Sequence, residues 1–63
     1  MTQFWLVIDT NNDAFGEDIH DRNAATTRLL FEVAAKVLDG VSEGAILDDN
    51  GNKVGFYEFK EVR

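Results

Sequence analysis

Sixty-three residues without a cysteine make one small domain with no disulfides and no thiolate metal ligands to stabilise it. Twelve acids against six bases leave a net charge of −6, which argues against binding nucleic acid or an anionic membrane through a basic face. The 44% hydrophobic content is that of a folded domain and not of a disordered acidic tail, so self-association or a partner is the expected supplement to a small core.

The opening MTQFWLVID has no basic segment ahead of its apolar run. That run is too short for a signal sequence or a membrane span, so a cytoplasmic protein is expected. Within it, Gln3–Asp9 is rich in aromatic and β-branched residues and reads as a strand. Phe4, Leu6 and Ile8 fall on one side of that strand, Trp5 and Val7 on the other. Both faces are apolar, so both are expected to lose water.

Thr10–Asp21 has no helical or strand period and reads as a loop. It is long for so small a domain, and loops of that length are often functional. Phe15 and Ile19 are its expected anchors to the core. Glu17, Asp18 and Asp21 suit the N-terminal end of a following helix, where the dipole favours negative charge.

Asp21–Gly40 carries the clearest helical pattern. Asp21 or Asn23 is the expected N-cap, and Gly40 suits the left-handed position beyond the end. Leu29, Leu30, Val33, Ala34 and Val37 share a face, which Phe31 and Leu38 widen to one side. An apolar arc that wide calls for cover on more than one side. Glu32 and Lys36 stand in the favourable order for an i,i+4 ion pair.

Gly44–Val62 reads as a hairpin about Asn50–Gly51, the favoured pair for a type I′ turn. That register sets Leu47 opposite Val54 and Ala45 opposite Phe56 on one face. On the other it sets Ile46 opposite Gly55 and Asp48 opposite Lys53. Gly55 in mid-strand signals a bulge or a close approach by another group. The expected fold is therefore α+β, of β-α-β-β order. Its three-stranded antiparallel sheet has spatial order 1-3-2, with the helix on one face, as a single domain over 1–63.

The stretch Asp9–His20 invites comparison with a calcium loop, since Asp9, Asn11 and Asp13 occupy the first three ligand positions. Ala14 stands where the turn glycine belongs, and His20 where the bidentate glutamate belongs. A strand also precedes the loop in place of a helix. A weak divalent-metal module built on Asp9, Asn11 and Asp13 is thus an alternative and not the leading reading. His20 has no second His or Cys to share a zinc ion. No nucleophile motif accompanies it, and Asp39-Gly-Val-Ser-Glu-Gly44 lacks the spacing and the lysine of a phosphate loop. No enzymatic activity and no cofactor are expected. Trp5, Tyr57 and Phe59 are placed on the sheet face away from the helix. They are interleaved there with Glu58 and Glu61, which suits a protein partner better than single-stranded nucleic acid.

The segments FWLVIDTNNDAF and LDDNGNKVGFYEF, with a helix between them, resemble small bacteriophage and prophage proteins of strand–helix–hairpin type. The resemblance implies a phage accessory protein acting inside a bacterial cell. It brings no activity and no residue roles. The leading expectation is a non-enzymatic protein-binding chain, acting as a homodimer or on a host protein with a basic surface. Its working residues are an apolar patch (Trp5, Phe31, Leu38, Tyr57) and an acidic loop (Asp9, Asp13, Glu17, Asp18). The alternative from another class is an acidic inhibitor of a nucleic-acid-binding defence enzyme, of anti-CRISPR or DNA-mimic type. It would present carboxylates in place of phosphates.

Overall fold

A computed structural model describes every residue, Met1–Arg63. The strands are β1 (Thr2–Ile8), β2 (Glu43–Leu47) and β3 (Lys53–Glu61), and the helix is α1 (Ile19–Leu38). The sheet is antiparallel with order β1-β3-β2, as the sequence leads one to expect. β3 is the central strand, paired with β1 from Thr2↔Glu61 to Ile8↔Gly55.

The helix begins earlier than its apolar pattern. Asp18, not Asp21 or Asn23, is the N-cap, and its Oδ1 accepts from the Asp21 backbone N–H at 2.9 Å. The first helical turn, Ile19–Asp21, has no residue in the core, so hydrophobic period could not reveal it. Ile19 is exposed and does not anchor the loop. At the other end Gly40 has φ +91°; Gly40 N–H bonds to Val37 O and Val41 N–H to Lys36 O. These two bonds form a Schellman motif, which satisfies two of the carbonyls that a helix end leaves unpaired.

The hairpin differs from the expected type I′ turn, because Asn50 does not take positive φ while Gly51 does, at +81°. Gly51 N–H bonds to Asp48 O and Asp48 N–H to Asn52 O, the pattern of a type I turn followed by a left-handed glycine. The longer loop places Asp48 opposite Asn52, not Lys53. Lys53 instead faces Leu47, while Ala45↔Phe56 and Ile46↔Gly55 stand as expected. Between these pairs Val54 is the extra residue of a β-bulge; it is not opposite Leu47, and its side chain is buried. Gly55 next to it has no room for a side chain, since a Cβ there would overlap the Val7 carbonyl of β1.

The core joins Phe15 to Ala25, Leu29 and Val33 of α1 and to Ile46, Val54 and Tyr57 of the hairpin. Tyr57 therefore lies on the helix side of the sheet, not on the outer face. Its ring overlies Gly44 and its hydroxyl donates to Val41 O at 3.0 Å. Phe59, two residues along, shares its side. Trp5 and Val7 occupy the outer face as expected, beside Phe56. Phe15 and Tyr57 are the two largest fully buried side chains.

Candidate functional site

Two constructions at opposite ends of α1 compete for attention, the acidic loop and an apolar groove. The loop folds into structural work. Asp9 Oδ1 accepts from Asn11 N–H, closing an Asx turn. Asn12 caps a 3₁₀ turn, Asp13–Phe15, by accepting from Ala14 N–H, and that turn delivers Phe15 to the core. The Asn12 side-chain amide then donates to Asp48 Oδ2 at 2.8 Å, tying the loop to the hairpin. Gly16, at φ +75°, packs so closely on Asp21 that a Cβ would lie 2.4 Å from the Asp21 Cβ.

Asp48 is the one buried charged residue. Its Oδ1 accepts from the backbone N–H groups of Asn50 and Asn52, both at 2.9 Å. The Asn52 bond chiefly holds the carboxyl below the usual carboxylate range; partial burial opposes this, and the Asn50 and Asn12 bonds add to the lowering. This is the signature of a loop fastener whose acceptors are already occupied.

In the stretch expected to hold a metal, Asp9 Oδ1 accepts from Asn11 N–H, and Asp13 opens the 3₁₀ turn. No group of three His, Cys, Asp or Glu side chains stands close enough to hold an ion. Several of the acids that a nucleic-acid mimic would present are engaged locally. Asp18 caps the helix, Asp48 is buried, Asp49 pairs with Arg28 at 2.7 Å, and Glu58 lies 3.8 Å from Lys60. These four acids serve separate local contacts.

The apolar groove is different in kind. The α1 backbone approaches β2 and the 3₁₀ turn most closely, so the β1 side of the same sheet face is left open. The space between is a groove of roughly 530 Å³. Its floor is Phe4 and Leu6 of β1 with Phe59 of β3. Its wall is Leu30, Val33, Ala34, Val37 and Leu38, all from one side of α1. No polar side chain lines it. Phe4 and Phe59 meet across the strands as a tilted pair, ring centres 4.9 Å apart and planes 53° from parallel, which fixes the floor. Leu38, at 87% exposed, stands as an uncovered lip.

Of the apolar patch expected from the sequence, Leu38 alone belongs to this groove, while Phe59, expected on the outer face, lies in its floor. Trp5 lies on the opposite sheet face, with Lys60 Nζ 4.8 Å from its ring. Phe31 is 72% exposed on α1 but outside the groove lining. Tyr57 is sealed in the core. Glu17 and Asp18 sit at the helix N-terminal end, while the lip is at its C-terminal end, about 30 Å away along a helix of this length; Asp9 lies beside the hairpin, its N–H bonded to Val54 O, and Asp13 opens the 3₁₀ turn. The expected combination of apolar patch and acidic loop is thus not gathered in one place. The wide apolar arc of α1 and the two-sided apolar β1 do signal uncovered surface. What sequence period cannot tell is where the helix crosses the sheet.

No helix is long and apolar enough to cross a membrane. The chain matches no protein-family model, no curated protein and no solved structure.

Proposed function

We propose that the chain is a non-enzymatic protein-binding module whose working surface is the groove between α1 and β1. The observation that carries this reading is a lining of eight residues, all apolar, around an open space of roughly 530 Å³. Pockets of this size that take small molecules carry a few placed polar groups to orient the ligand. This one has none, which suits apolar side chains from another polypeptide. The exposed Leu38 at its lip and the half-exposed Phe4 of its floor would otherwise stay partly in water, forgoing some of the about 1.5–3 kcal/mol that fully burying such a side chain contributes. His20 is exposed, and no nucleophile motif accompanies it in the sequence, which supports a non-enzymatic role. The resemblance to phage proteins supports an accessory role inside a bacterial cell.

Ala34 and Ala35 offer a matched test. Both are exposed helical alanines, but only Ala34 lines the groove. A photoreactive residue at position 34 should label a bound protein, or a second copy of the chain, and the same residue at position 35 should not. Equal labelling from the two positions, or none from 34, would count against the groove.

A further inference from the structure

The free edge of β1 is the strongest unpartnered feature outside the groove lining. β1 is paired with β3 on one side only. Its segment Thr2–Ile8 runs seven residues with no charge, no proline and no bulge. Native sheets blunt exposed edges with one of those devices, and a long flat apolar edge without them is a template for strand pairing. The other edge is protected: β2 is five residues long, carries Glu43, and runs beside the bulge at Val54.

The parity of the free groups follows from the ladder. Asp9 N–H bonds to Val54 O and Val62 N–H to Met1 O, which makes the odd-numbered residues of β1 the ones bonded to β3. Thr2, Phe4, Leu6 and Ile8 therefore turn their N–H and C=O groups to the open side. The surface area points the same way. A monomer of this mass exposes roughly 4,100 Å² by size scaling, whereas this chain exposes 4773 Å². Charge agrees as well. In a chain of net charge −6, β1 is an uncharged border along which two copies meet without setting carboxylate against carboxylate.

We infer that two copies pair antiparallel through their β1 edges, forming a six-stranded sheet with Trp5 on the two-fold axis. Centring on Trp5 overlaps all seven residues. It also brings the free groups of Phe4 opposite those of the partner copy's Leu6, and Thr2 opposite Ile8, so that every open donor finds an acceptor. The axis is perpendicular to the sheet, so both helices lie on the same face. The two grooves then join floor to floor into one trough between them, and the pairing deepens the groove reading by supplying its second wall.

The chain has no cysteine, so single replacements report the register directly. Trp5→Cys should oxidise to a covalent dimer, because facing residues of a non-hydrogen-bonded antiparallel pair have Cα atoms about 4.5 Å apart, within disulfide reach. Gln3→Cys should remain monomeric, since Gln3 faces Val7 of the second copy. Self-linking by Gln3→Cys as readily as by Trp5→Cys would overturn the register. The unmodified chain guards against a folding defect in either variant. Sedimentation should show its mass rising toward twice the monomer with concentration, and more steeply with added salt, which screens two −6 chains. A monomer throughout would overturn the pairing, yet leave the groove standing if position 34 still labels another protein.

Discussion

The Asp48 carboxylate accepts three hydrogen bonds at once, from two backbone N–H groups of its own turn and from the Asn12 amide. Each favours the ionised form, and the folded pKa is lowered as a result. For a depressed carboxylate the stabilisation is fully present above its unfolded value, about 3.9, and disappears as pH falls through the folded value. Asp48→Asn should therefore lower the thermal midpoint at pH 7, and the gap to the unmodified chain should close below about pH 4. A gap that is constant with pH would mean that the charge itself contributes nothing. The glycines separate two other causes. At Gly51 a side chain meets open space, so Gly51→Ala costs only its left-handed backbone, about 1–2 kcal/mol. Gly55 has no positive φ, but its Cβ would lie 1.8 Å from Val7 O. Gly55→Ala must push β1 off β3 and should cost more than the ~1–3 kcal/mol usual for overpacking. Denaturant midpoints of the two variants check that order.

The loop between β1 and α1 behaves as an element in its own right. Its Phe15 is 1% exposed and bridges the helix and the hairpin. Phe15→Ala should cost about 3–5 kcal/mol. A domain of this length has only roughly 3–9 kcal/mol in total, so the variant should lose a third or more of its stability, which a lowered denaturation midpoint by circular dichroism would show. Conversely, Leu38→Asp removes an 87% exposed side chain and should change stability by no more than about 0.5 kcal/mol. That contrast bears on what a sequence discloses. The strand, the helix and the hairpin are legible because period and turn glycines are local signals. The anchoring role of Phe15 is half legible, as an apolar residue in a polar loop. Asp48 is not, because two neighbouring acids before Asn-Gly read equally well as solvated turn residues. Tyr57 is misplaced for a related reason: alternation divides a strand into two faces but does not say which one the helix covers.

At the scale of the molecule, the single helix leaves the β1 side of one sheet face uncovered. Eight of 63 residues are buried, and the Cα radius of gyration is 12.6 Å against roughly 10.6 Å expected for the length. The uncovered side carries both the groove and the bare edge of β1, and the proposed pairing completes them together. Amide hydrogen exchange along β1 of the unmodified chain reads that edge most directly. Gln3, Trp5 and Val7, bonded to β3, should be protected at every concentration. Phe4, Leu6 and Ile8 should exchange quickly in dilute solution and become protected as concentration rises. Rapid exchange at those three positions at all concentrations would contradict the account.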